Sequence, residues 1–446
     1  MKQMSCRKIA PPLSALIGAA GLLAACGGGG VEEALPLAQA QAAKETVVIG
    51  SKGPNAVSTW NEIAFNTVSV PASPSGLTPS ERMPRPVDIV TLQLAVYDAV
   101  IAIAGTHQPY AIRPASPGLG AGPVAMEAAA IEAAYQVLKA LFPSRGDKYE
   151  DAHASAIAAL PDGTAKSLGM GIGQEVAAGM VALRANDGRE TPLPAYVPGS
   201  APGDFRGLNP VNRNLPLIRP FATLSHQQFR VAPPYALNSS AYAADLNEVK
   251  LMGSAGSAKR SAAQTETARF HTEFPDAFWP RNLRQFAMAN VGLADNARLL
   301  ALLLTAQSDA IGSCFESKYH YGFWRPSSAI RLADTDGNAL TEPDPAWTPV
   351  LPTPNHPEYP AAHGCASGSV MEVLRSFYGT KNVAFDFDSN ATGSRHHYAR
   401  TDDLLREIRD ARVWGGMHFR SSVEIGAEQG KDVAKWVLKQ HFRPLD

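Results

Sequence analysis

DNARLLALLLTAQSDAIGSCFESKYHY, residues 295 to 321, carries apolar residues at every third or fourth position for most of its length, which lays them along one face of an α-helix. Towards its end the pattern turns polar and basic. Lys318 is followed seven positions on by Arg325 within SKYHYGFWRPSSAI, residues 317 to 330, among Tyr, His, Phe and Trp. Seven residues of unbroken helix turn through about 700°, which would put both cations on nearly one face, two turns apart. Pro326 cannot continue a helix freely, so Arg325 stands at a boundary from which its guanidinium can project into a cavity. Alone, the pair is weak evidence for an anion site, because cations on one helix face are usually solvated or snorkel out of an aromatic core segment.

The same periodicity recurs upstream in PRPVDIVTLQLAVYDAVIAIAG, GPVAMEAAAIEAAYQVLKALF, YEDAHASAIAALPDG and AKSLGMGIGQEVAAGMVALRANDG. Downstream, GCASGSVMEVLRSFYG is a helix pattern ending at Gly379, and SSVEIGAEQGKDVAKWVLKQHF is another. Strand signals are scarce. The predicted class is mainly α, one domain of helical bundles over residues 46 to 446. Between residues 188 and 238 a Pro-rich stretch is too long for a simple connector, and is expected to run over the surface or over a pocket mouth.

The first 25 residues, with Lys2, Arg7 and Lys8 before a short apolar run, read as a secretory signal. Leu23-Ala24-Ala25-Cys26 resembles a bacterial lipobox, with Cys26 as the lipidated N-terminus and residues 26 to 45 as a flexible tether. An exported, membrane-anchored lipoprotein facing the periplasm or cell exterior is expected. The chain holds 40 Lys and Arg against 41 Asp and Glu, and losing the leader removes three cations and no acid. No nucleic-acid partner is expected from that balance. Export would place Cys314 and Cys365 where a disulfide can persist, the alternative being two separate buried thiols.

Two further segments carry chemistry. TPNHPEYPAAHGCASG places His363 and Gly364 just before a helix read as starting near Ala366, whose free N–H groups suit an anion. RDARVWGGMHFRSSVEIG sets Arg412 and His418 six residues apart, about 120° off a common helical face. A break at Gly415-Gly416 would let both point into one cavity.

Taken together, K-x6-R-P, P-x-x-H-G and R-x5-H in this order resemble the vanadium-dependent haloperoxidases and the related type 2 phosphatidic acid phosphatase superfamily. The matching positions lie between Lys318 and His418, within an oxyanion region of residues 314 to 422. The resemblance implies a helical-bundle fold, with Lys318, Arg325, Gly364 and Arg412 around a vanadate cofactor, for which phosphate could substitute. His418 would be the vanadium ligand and His363 the acid–base residue. Hydrogen peroxide, a halide and a small organic acceptor would be the reactants.

Several positions depart from the family pattern or tune it. The P-S-G-H motif becomes Pro360-Ala361-Ala362-His363, which lacks a serine hydroxyl worth about 1.5–3 kcal/mol to a bound anion. Ala411 and Ser422 stand where the phosphatase branch often has serine and aspartate. His356, seven residues before the motif histidine, resembles the bromide-oxidising members, while Phe315 replaces their Trp or Arg. An acid phosphatase working through a phosphohistidine, and a non-catalytic lipid-anchored protein, are the alternative readings.

Overall fold

The computed structural model describes residues 46–69, 77–290 and 292–445. The signal, Cys26 and the tether lie outside the described residues. Within them the expected helices form: Pro86–Ala104, Gly122–Leu141, Glu150–Ala159, Thr164–Arg184, Leu293–Tyr321, Ala362–Tyr378 and Arg420–Gln440. Pro86–Ala104 is long and apolar enough to cross a membrane, but 89% of its apolar window is buried by neighbouring elements, as in a core helix.

The helices make two bundles that meet where Leu293–Tyr321 packs on Pro86–Ala104. A continuous apolar core joins them. Each bundle holds one very close helix pair, and small residues make the approach possible. In the first, a Cβ on Gly169 would lie 2.2 Å from the Ala125 carbonyl. In the second, a Cβ on Gly364 would lie 2.3 Å from the Val423 carbonyl, and one on Gly430 only 2.0 Å from that of Cys365. Each bundle also anchors a returning loop on a buried carboxylate: Asp98 accepts from the N–H groups of Tyr110, Ala111 and Ile112, and Asp309 from those of Phe221, Ala222 and Thr223. A Gly364→Ala variant should therefore lose about 1–3 kcal/mol of stability from overpacking, measured by denaturant unfolding.

Strands are few, as the sequence suggests. Val383–Ser389 pairs antiparallel with Ser394–Tyr398, with Phe385 opposite Tyr398, and Val47–Val48 adds a parallel edge. The Pro-rich stretch forms only 3₁₀ turns, at Leu215–Leu217 and His226–Phe229, and lines a cavity through Val211, Leu215, Ile218 and Phe221. It covers a pocket mouth.

Candidate oxyanion site

The Leu293–Tyr321 helix does not continue to Arg325, which corrects the reason for expecting the two cations together. Gly322 takes a left-handed conformation (φ 56°) and stops it, and Arg325 precedes a short helix that begins at Pro326. The Pro-rich loop straps this corner, because Phe205 N–H donates to the Gly322 carbonyl and Trp324 N–H to that of Gly203. Lys318 and Arg325 then converge by wrapping one loop. Lys318 Nζ donates to the carbonyls of Pro357 (3.0 Å) and Glu358 (2.8 Å), and Arg325 Nε to that of His356 (2.9 Å).

The helix carrying His363 starts at Ala362 rather than near Ala366, so His363 and Gly364 lie inside its first turn. Gly364 has a packing reason to lack a side chain, as above, and can offer an anion only its N–H. Ala361 is fully buried and is not among the residues that line the cavity. Arg412 closes the Thr401–Trp414 helix, Gly415-Gly416 breaks the chain, and His418 stands just before Arg420–Gln440. Gly416 has φ 74° and sits against the Gly253 carbonyl, leaving no space for a Cβ.

Arg325 Nη1 donates to His418 Nε2 at 3.0 Å, and a guanidinium has no acceptor, so Nε2 presents its lone pair. The proton of the neutral ring is then on Nδ1, which lies 2.8 Å from Glu358 Oε1. The same oxygen accepts from the Phe419 N–H at 3.1 Å. Sequence reasoning missed Glu358. Its signal was present in the quoted motif, a carboxylate two residues before a proline and directly after another, but its partner lies 60 residues away. Also unforeseen is His271, whose carbonyl accepts from Arg412 Nη1 (3.1 Å) and bonds the His363 ring, while its own Nε2 is 2.9 Å from Glu407. A carbonyl contact leaves no trace in side-chain identity.

Burial sets the electrostatics. Lys318, Arg325, Arg412 and His418 are at most 2% exposed. Burial, then the field of Arg325, pushes Lys318 well below its usual value. Arg325 is lowered to about 10 and Arg412 to about 9 by the same desolvation, so both remain cations at neutral pH. Burial also pushes Glu358 up to about 7, against the pull of Lys318 and Arg325. His356, His363 and His418 are all held well below the ordinary histidine range, chiefly by burial and then by the neighbouring arginines. Arg412 Nε is buried with no partner among the described residues. A cluster of buried cationic groups sharing one displaced carboxylate is short of negative charge, and an oxyanion supplies that charge with acceptors for the free donors. Vanadate fits these residues.

Phe315 and His356 both line the cavity, with ring centroids 5.0 Å apart, and Lys318 Nζ lies 5.9 Å from the Phe315 ring centre. Cys314 and Cys365 are joined in a disulfide that ties the Lys318 helix to the His363 helix, with Cα atoms 6.3 Å apart. Of the expected groups, Phe315, His356, His363, Arg412 and His418 line the cavity, whereas Lys318, Arg325 and Gly364 are not among its lining residues and Arg325 reaches it through its bond to His418.

Residues 298–446 match the family described as the VCPO second helical-bundle domain. The vanadium chloroperoxidase of Curvularia inaequalis is 27% identical over 183 residues, 35% of this chain. The C-terminal third of the chain is thus similar to the vanadium haloperoxidases. That match spans 29% of the length of the Curvularia protein. Solved haloperoxidase structures extend the likeness of fold to most of the chain. The first bacterial vanadium-dependent iodoperoxidase has a TM-score of 0.65 at 22% identity, covering 89% of this chain and 100% of its own. A holo-type bacterial vanadium-dependent chloroperoxidase has a TM-score of 0.64 at 16% identity, covering 87% and 98%.

Proposed function

We propose that this chain is a vanadium-dependent haloperoxidase, which binds vanadate and oxidises halide with hydrogen peroxide, bromide in preference to chloride, passing the oxidised halogen to a small organic acceptor. The observation that carries this reading is the set of buried cationic side chains Lys318, Arg325 and Arg412 whose charges act on His418, the unprotonated Nε2 of which accepts from Arg325 Nη1. Bound vanadate would supply a pentavalent Lewis acid that activates peroxide without itself changing oxidation state. The chain supplies the rest. Arg325, Arg412 and Lys318 would neutralise the oxyanion, and His418 would hold it through Nε2. His363, kept neutral by burial, accepts the proton that peroxide gives up.

The cavity, of about 530 Å³, continues outward between Val87, Leu304, Ile218 and Trp279. An apolar chamber of that size suits an organic acceptor held beside the site. His356 at the halide-tuning position supports bromide. The Cys314–Cys365 bridge supports an oxidising compartment, consistent with export and a lipid on Cys26.

The neutral His418, oriented through Nδ1 by Glu358, also suits attack on phosphorus, so phosphatase activity is the second reading. One series separates the two. Bromination of an organic acceptor is measured with peroxide and bromide, with and without vanadate, beside phosphate-ester hydrolysis by vanadate-free protein and a thermal-shift titration with each oxyanion. Vanadate-dependent halogenation, faster with bromide than chloride, and stabilisation of about 2.7 kcal/mol at a hundredfold excess over Kd are expected. Hydrolysis without bromination would sink the haloperoxidase reading, and neither activity would leave a binding protein.

A further inference from the structure

Met417 lies between the Gly415-Gly416 break and His418, and its side chain forms part of the oxyanion cavity wall. Its sulfur is 3.2 Å from Arg412 Nη2, and its carbonyl accepts from Arg325 Nη1 at 2.9 Å. Only 2% of the residue is exposed, yet it lines the cavity, so a reagent reaching the sulfur arrives through the site itself. Among the described residues it is the methionine that does so. Met180 and Met371 are equally buried, at 0% and 1%, but lie away from the cavity. A thioether is a soft, polarizable group that takes up oxygen readily, and this one touches a guanidinium that would hold the oxyanion.

We propose that Met417 is a modification site, the residue this enzyme converts to methionine sulfoxide in its own turnover. The inference rests on the haloperoxidase reading. The sulfur lone pair takes one oxygen atom from hydrogen peroxide: an S–O bond forms, the O–O bond breaks, the sulfur gives up two electrons and the second oxygen leaves as water. Where hypohalous acid delivers the oxygen, halide and a proton leave instead. The sulfoxide oxygen is a much stronger acceptor than a thioether, so it engages Arg412 Nη2 and draws that guanidinium from the anion. Activity therefore declines with turnovers made, faster when the organic acceptor is scarce.

The test is chemical. The full chain is incubated with peroxide, with or without vanadate and without organic acceptor, then digested with trypsin. The peptide VWGGMHFR, residues 413 to 420, has Met417 as its sole methionine, and fragment masses separate oxygen on Met417 from oxygen on Trp414. Vanadate should speed oxygen gain at Met417 on the order of tenfold or more, the proximity effect, while Met180 and Met371 stay reduced. Equal oxidation without vanadate overturns the proposal. So does bromination, once bromide and acceptor are added, by a vanadate-treated sample whose Met417 has stayed intact. Absence of both bromination and oxidation overturns the functional reading as well. Met417→Leu, which keeps the apolar bulk without the sulfur, should lose a much smaller fraction of its own starting bromination rate through peroxide exposures that exhaust the parent, whatever that starting rate is; matching fractional decay in the two proteins overturns the self-limiting step.

Discussion

His418→Ala is expected to leave a folded, disulfide-bonded protein whose vanadate-dependent bromination falls by at least about 100-fold, since even an outer partner of a metal ligand is worth 10–100-fold. The imidazole presents an unprotonated Nε2 on the cavity wall, its lone pair accepting from Arg325 Nη1 until an oxyanion takes that place. Lys318, Arg325 and Arg412 survive the change, so weak oxyanion binding persists and the loss falls mainly on tight binding and turnover. The truncation also strips Glu358 of one of its two N–H donors to Oε1, the other being Phe419 N–H, at a cost of about 1–3 kcal/mol in stability. Calorimetry with vanadate and denaturant unfolding separate these effects. Added imidazole, filling the vacated volume, should restore part of the bromination, which a merely unfolded variant could not regain. Full activity in the variant would remove the whole site assignment.

The parts legible in the sequence are those whose cause is local. Apolar spacing fixes Leu293–Tyr321 and Pro86–Ala104 because burial on one helical face leaves a 3.6-residue trace. The Gly415-Gly416 break was readable because Arg412 and His418 cannot share a face without it. Lys318 and Arg325 were expected together for the wrong reason: the helical arithmetic assumed no stop at Gly322, and convergence comes instead from the strap of loop backbone around residues 356 to 360. The helix start near His363 was read four residues late, since Ala361-Ala362 carries neither a capping side chain nor a break. Glu358 and His271 act through partners 60 and 141 residues away, one by a carboxylate in a loop and one by its main-chain carbonyl. Four residues downstream of His418, where the phosphatase branch often carries aspartate, stands Ser422, so the carboxylate serving the ring comes from a distant loop. The close helix pair likewise depends on what a glycine lacks, which only the facing carbonyl of Val423 makes meaningful.

Glu358→Gln tests the residue that sequence reasoning passed over. The glutamine side chain keeps the shape and can still accept from His418 Nδ1 through its amide oxygen, but it brings no charge to strengthen that bond. Vanadate affinity should fall about 10–100-fold, as for other groups that orient a metal-binding histidine. The pH profile gives the sharper readout. Burial holds Glu358 near 7 in the free protein, so acidification through that range protonates it, and a protonated carboxyl no longer favours the tautomer that leaves Nε2 unprotonated. The kcat/KM of the parent should therefore carry an acidic limb at about 7 that the variant lacks. The stability effect has the opposite sense. A carboxyl whose folded pKa is raised contributes stability that is complete below its ordinary value of 4.5 and lost as pH rises through about 7. The unfolding free energy of the variant minus that of the parent should thus grow between about pH 5 and 8. A limb that persists unchanged in Glu358→Gln, together with a flat stability difference, would show that Glu358 neither titrates in this window nor sets the state of His418.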